Sequence, residues 1–141
     1  MIKNIKAFQT TLNQSAVWIN ELMDSYAFRD ENEAFVLLRA TLKSLRDRIG
    51  AGEAYHLATQ LPALLRGYYF EGWNPHKNPS TDRTPYDFLT SVRAHLGTHH
   101  DNIDLELAVP EALRITFEKI DQGEAEDVRQ NLPREIQELC P

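Results

Sequence analysis

The sequence predicts an all-α fold, two similar four-helix units packed into one compact helical bundle. Three observations carry this reading. The segment GEAYHLATQLP at 52–62 returns as GEAEDVRQNLP at 123–133, so that Gly52, Glu53, Ala54, Leu61 and Pro62 recur as Gly123, Glu124, Ala125, Leu132 and Pro133. Leu42 with Leu113 and Ile49 with Ile120 keep the same offset of 71 residues, and an offset held over a long stretch marks a duplicated unit. Between these landmarks the apolar residues fall three and four apart, the spacing of one helix face. The expected organisation is a first repeat over 1–70, a proline-containing linker loop over 71–84 and a second repeat over 85–141.

The first helix is expected from about Thr11 to Phe28, because Trp18, Ile19, Leu22, Met23 and Tyr26 share a face. Its counterpart begins at Thr84-Pro85. Thr84 suits an N-cap, Pro85 the first helical position and Asp87 the positive end of the dipole, while Gly97 stops the helix. The second helix is expected over 31–49, where Phe35, Leu38, Leu42, Leu45 and Ile49 alternate by three and four. Its counterpart keeps Val109, Leu113, Phe117 and Ile120 on one face, but Pro110 lies within it. Proline is at home only in a first turn, so the regular helix is expected to start near Val109, with Ile103, Leu105 and Leu107 in a preceding turn or extended piece. The third helix of each unit opens at Gly-Glu. Leu-Pro then ends it and begins a fourth, because the residue before proline leaves the α region while proline suits a first turn.

Composition narrows the function classes. The chain of 141 residues carries 15 basic and 21 acidic side chains, a net charge of −6. The excess is concentrated in residues 71–141, which hold 7 basic and 14 acidic groups. Such a surface repels phosphate backbones and argues against nucleic acid as a partner. The single cysteine, Cys140, has no internal disulfide partner, which fits a reducing, cytoplasmic setting. No apolar run reaches the length of a membrane span, and the first residues lack the apolar core of a signal peptide.

With the elements placed, the run GEA…QLP…LRGYYFEGW, the segments WINELM and LLRATLKSLRDRI, and the second GEA…LP copy together resemble a bacterial family catalogued only as a domain of unknown function. The resemblance extends from about Thr11 to Pro141. It implies an all-helical duplicated fold and brings no activity, cofactor or site residue with it.

Three groups of residues invite a functional reading. Tyr68, Tyr69, Phe70 and Trp73 put four aromatics in six positions at the junction of the repeats, and such residues are favoured at protein interfaces. His95, His99, His100 and Asp101 form a histidine-rich loop, extending to Asp104, whose imidazole and carboxylate groups suit a divalent metal or a pH response. Arg39, Lys43 and Arg46 make a basic stripe whose ordinary role is a solvated face. Glu53 and Glu124 read as helix-start residues. The common catalytic signatures are absent: no phosphate-binding glycine loop, no H-E-x-x-H, no nucleophile elbow. The expectation is a non-enzymatic interaction module that binds a protein partner or itself, with no cofactor required. The alternative is a metal- or small-ligand-binding protein built on the histidine loop.

Overall fold

A computed structural model describes residues 2–141, in which every regular element is a helix and no strand occurs among the described residues. The chain runs through α1 (Lys6–Ser25), α2 (Glu31–Arg48), α3 (Ala51–Thr59), α4 (Ala63–Phe70), α5 (Pro85–Leu96), α6 (Leu105–Lys119), α7 (Gln122–Asn131) and α8 (Arg134–Gln137). Short 3-10 turns occupy Ile2–Asn4, Pro75–Lys77 and Thr98–His100. No helix is long and apolar enough to cross a membrane.

Capping explains most of the boundaries. The Asp30 side chain accepts from the Glu33 N–H, Thr84 from Asp87, Asp104 from Glu106 and Asp121 from Glu124, each satisfying an amide that the helix leaves free. Pro62 and Pro133 stand at the N-caps of α4 and α8, so the two Leu-Pro steps are helix corners.

Two helices depart from expectation. α1 starts at Lys6 rather than near Thr11 and ends at Ser25, where Tyr26 turns to extended backbone. α6 starts at Leu105, not near Val109, and carries Pro110 inside it. Burial explains the second case. Leu105, Ala108 and Val109 are all enclosed, and Asp104 caps the new start. Pro110 cannot donate to the Glu106 carbonyl, but Glu106 and Leu107 face solvent, where water can take that place.

The core is one cluster fed by all eight helices, from Trp18 and Leu22 of α1 to Ile136 of α8. It is assembled across the middle of the chain. α2 lies along α5, α1 and α2 contact α6, and α3 lies on α7. α2 is the central helix, with Ala34, Leu37, Leu38, Leu42 and Leu45 at 1% exposure or less. Interhelix hydrogen bonds are few and specific: the Ser44 and Ser91 hydroxyls meet at 2.8 Å across α2 and α5.

Candidate functional site

The aromatic junction folds largely inward. Tyr69 is 1% exposed, and its hydroxyl donates to the Ala54 carbonyl at 2.8 Å, so α4 is tied to α3. Phe70, Trp73 and Tyr55 cluster beside it, with the Tyr55 and Trp73 rings edge to face at 4.9 Å between centres and Phe70 tilted against both. Tyr68 meets Phe35. Tyr69 therefore offers no surface, whereas Tyr68, Phe70 and Trp73 are half-buried. The Trp73 indole N–H donates to Asn78 Oδ1 at 2.7 Å. Asn78 Nδ2 in turn donates to the Arg46 and Ile49 carbonyls, and the Ser80 amide to the Asp47 carbonyl. The 71–84 loop thus supplies the partners that the C-terminal carbonyls of α2 lack.

The basic stripe is not a solvated face. Arg46 is 3% exposed and donates to the Tyr69 and Glu71 carbonyls and to Asp47. Lys43 pairs with Glu71 at 2.9 Å, and the Arg39 guanidinium lies over the Phe35 and Tyr68 rings. The sequence hid this because the loop that turns back onto α2 comes from elsewhere in the chain. Long basic side chains bury their stems readily and were available to hold it.

The histidine loop is not gathered at one point. No three of His95, His99, His100 and Asp101 bring ligand atoms together among the described residues. His95 Nε2 lies 3.8 Å from Asp47 Oδ2 on α2. His100 Nδ1 lies 4.0 Å from Glu33 Oε2, while His99 and Asp101 are exposed. Glu33 is the hub here. It is 1% exposed and accepts from the Arg29 amide and guanidinium and from Asn102. Burial works to raise its pKa, but these hydrogen bonds outweigh burial and hold it below the usual carboxylate range.

Two features were missed from the sequence. The first is an uncovered stripe on α1 and the turn before it. Ile5, Phe8 and Leu12 are 43–53% exposed, and Ala16 and Ile19 continue the line at spacings of three and four. They lie beside, not within, the Trp18–Leu22 face that enters the core. The stripe runs into a groove of about 440 Å³ lined by Leu12, Ile19, Phe35, Leu64 and Leu65. The heptad-like spacing was present in the sequence, but a helix expected only from Thr11 leaves Ile5 and Phe8 outside it.

The second is a carboxylate pair. Asp121 N donates to Gln60 Oε1 at one end of the α3–α7 contact, and Asn131 Nδ2 reaches Glu53 Oε1 at the other, so the two helices are antiparallel. Glu53 and Glu124, each the third residue of its helix, are thereby brought together with His56. One ligand atom from each of the three lies within 4.8 Å of the others. Glu53 Oε2 and Glu124 Oε2 are buried without a hydrogen-bond partner. Burial, then the adjoining Glu53, then the charges of Asp127 and Asp121 push the Glu124 pKa up to about 8. The repeated GEA motif was the available signal. It placed the same acid on the same turn of two helices, but only the α3–α7 contact makes them neighbours.

The family profile described as an uncharacterized conserved protein, DUF2267, matches residues 16–139. The chain belongs to the DUF2267 family. No curated relative matches it. The DUF2267 match takes in Glu53, His56 and Glu124, the aromatic junction and the histidine loop. It begins beyond Ile5, Phe8 and Leu12, so the upper part of the α1 stripe lies outside the matched segment.

Proposed function

We propose that this chain is a non-enzymatic interaction module that pairs with a second copy of itself through α1. The observation that carries this is the uncovered stripe Ile5–Phe8–Leu12–Ala16, which half-buried Ile19 continues into the groove beside Phe35 and Leu64. Contiguous apolar surface of this kind marks interaction sites on globular proteins, and a stripe spaced three and four apart suits a facing helix. Charge selects the occupant. Lys3 and Lys6 stand exposed at one end of the stripe, and Asp24 and Glu31 stand exposed toward the other. An antiparallel pair of α1 helices centred on Leu12 sets the basic end of each copy against the acidic end of its partner. It also stacks Ile5 on Ile19 and Phe8 on Ala16.

Sedimentation over a micromolar concentration series tests the reading. The parent chain is expected to dimerise. The double substitution Phe8→Glu with Leu12→Glu is expected to weaken pairing by about 100-fold or more, since it removes two anchors and sets like charges face to face. Both residues are exposed, so the helical circular dichroism signal should be unchanged. A parent chain that stays monomeric across the series overturns self-pairing, as does a double variant that dimerises like the parent.

A further inference from the structure

We propose that Glu53, Glu124 and His56 form a binding site for a divalent transition-metal cation of the zinc class. Two carboxylates and one imidazole are an N/O donor set that zinc accepts, and three protein ligands leave a fourth position for water. Their donor atoms already lie within 4.8 Å of one another. Ligands on a tetrahedral zinc stand about 3.4 Å apart, given metal–ligand bonds near 2.0–2.2 Å. The remaining contraction falls to His56, whose side chain is 74% exposed and whose Nδ1 lies 3.9 Å from Glu53 Oε2. An exposed ring on a helix surface can turn without disturbing the core.

The buried oxygens of the pair give a cation a place. The Glu124 side chain is buried, and neither its Oε2 nor that of Glu53 receives a donor from any other residue. Native proteins rarely leave buried acceptors unpaired, so the two oxygens call for either a proton shared between the carboxylates or a cation. The group is also unlike the helix caps elsewhere in the fold. Asp30, Thr84, Asp104 and Asp121 each accept a backbone amide, whereas the Glu53 and Glu124 carboxylates accept none. A bound cation would take the place of that proton and serve both oxygens.

The site is independent of self-pairing through α1 and is tested without it. Chelator-stripped protein is titrated with zinc chloride by calorimetry, and cobalt(II) is added in parallel for its visible absorption. The expected result is one zinc per chain and the intense bands of tetrahedral cobalt. Glu124→Gln, close in shape to the parent, should weaken zinc by about 100-fold or more. His56→Ala, at an exposed position, should weaken it by about 10-fold or more. The double variant His99→Ala with His100→Ala should bind as the parent does. A parent chain that takes up no zinc overturns the proposal. So does uptake that survives both Glu124→Gln and His56→Ala, or that is lost with His99 and His100, since the metal would then lie elsewhere.

Discussion

Glu124 and Glu33 are both acids removed from water, yet their surroundings push them in opposite directions. Glu33 has two N–H donors from Arg29 and an amide from Asn102, so its ionised form is favoured. Its contribution to stability is present above the ordinary carboxylate pKa and is lost as pH falls through the lowered one. Glu124 has burial, a second carboxylate and two further acids, so its neutral form is favoured and its pKa is pushed up to about 8. Its contribution is complete below the unfolded value of 4.5 and is lost as pH rises through about 8. In metal-free protein, Glu124→Gln is therefore expected to raise stability at alkaline pH by roughly 1 kcal/mol or more, and to change little at pH 4–5. Urea unfolding at both ends of the range, with chelator present, checks this. Equal effects at the two pH values would mean that Glu124 is not held neutral. None of this was legible from either residue alone. Each acid looks like an ordinary first-turn glutamate, and only packing against Arg29 and Asn102, or against Glu53 of α3, separates them.

At the scale of the element, helix identity was readable and helix extent was not. Three-and-four spacing and the Asp, Thr and Leu-Pro boundary signals located all eight helices. The failures share one cause, since a local rule was set against burial that only the assembled core supplies. At α6 the proline rule placed the start near Val109, whereas enclosing Leu105 and Ala108 draws the helix back to Leu105. Pro110→Ala restores the missing donor to Glu106 and removes a ring from the helix interior. It is expected to stabilise the protein by about 1–2 kcal/mol, somewhat offset by the looser unfolded chain. A lower urea midpoint would show that the ring's own packing matters more than the absent bond. The candidate sites follow the same pattern. The aromatic run, the basic stripe and the histidines were visible as residues. Their roles in holding the loop, joining Arg46 to Tyr69 and seating His95 against Asp47 depend on contacts between remote segments.

For the whole molecule, the decisive fact is where the core contacts run. α2 packs on α5, α1 on α6 and α3 on α7, and a single cluster contains residues from both ends of the chain. Such a core predicts one cooperative thermal transition in calorimetry, with equal calorimetric and van't Hoff enthalpies. Two resolved transitions would mean that 1–70 and 85–141 unfold as separate bodies. The family match over 16–139 also covers the two as one stretch. This arrangement has a consequence during synthesis. When residues 1–70 leave the ribosome, the faces of α1, α2 and α3 that will meet α5, α6 and α7 have nothing to close on. At about 5–20 residues per second, those faces stay open to solvent for several seconds before the later helices emerge. The nascent chain therefore passes through a window in which chaperones, or a neighbouring nascent copy, compete for surfaces that the finished fold hides.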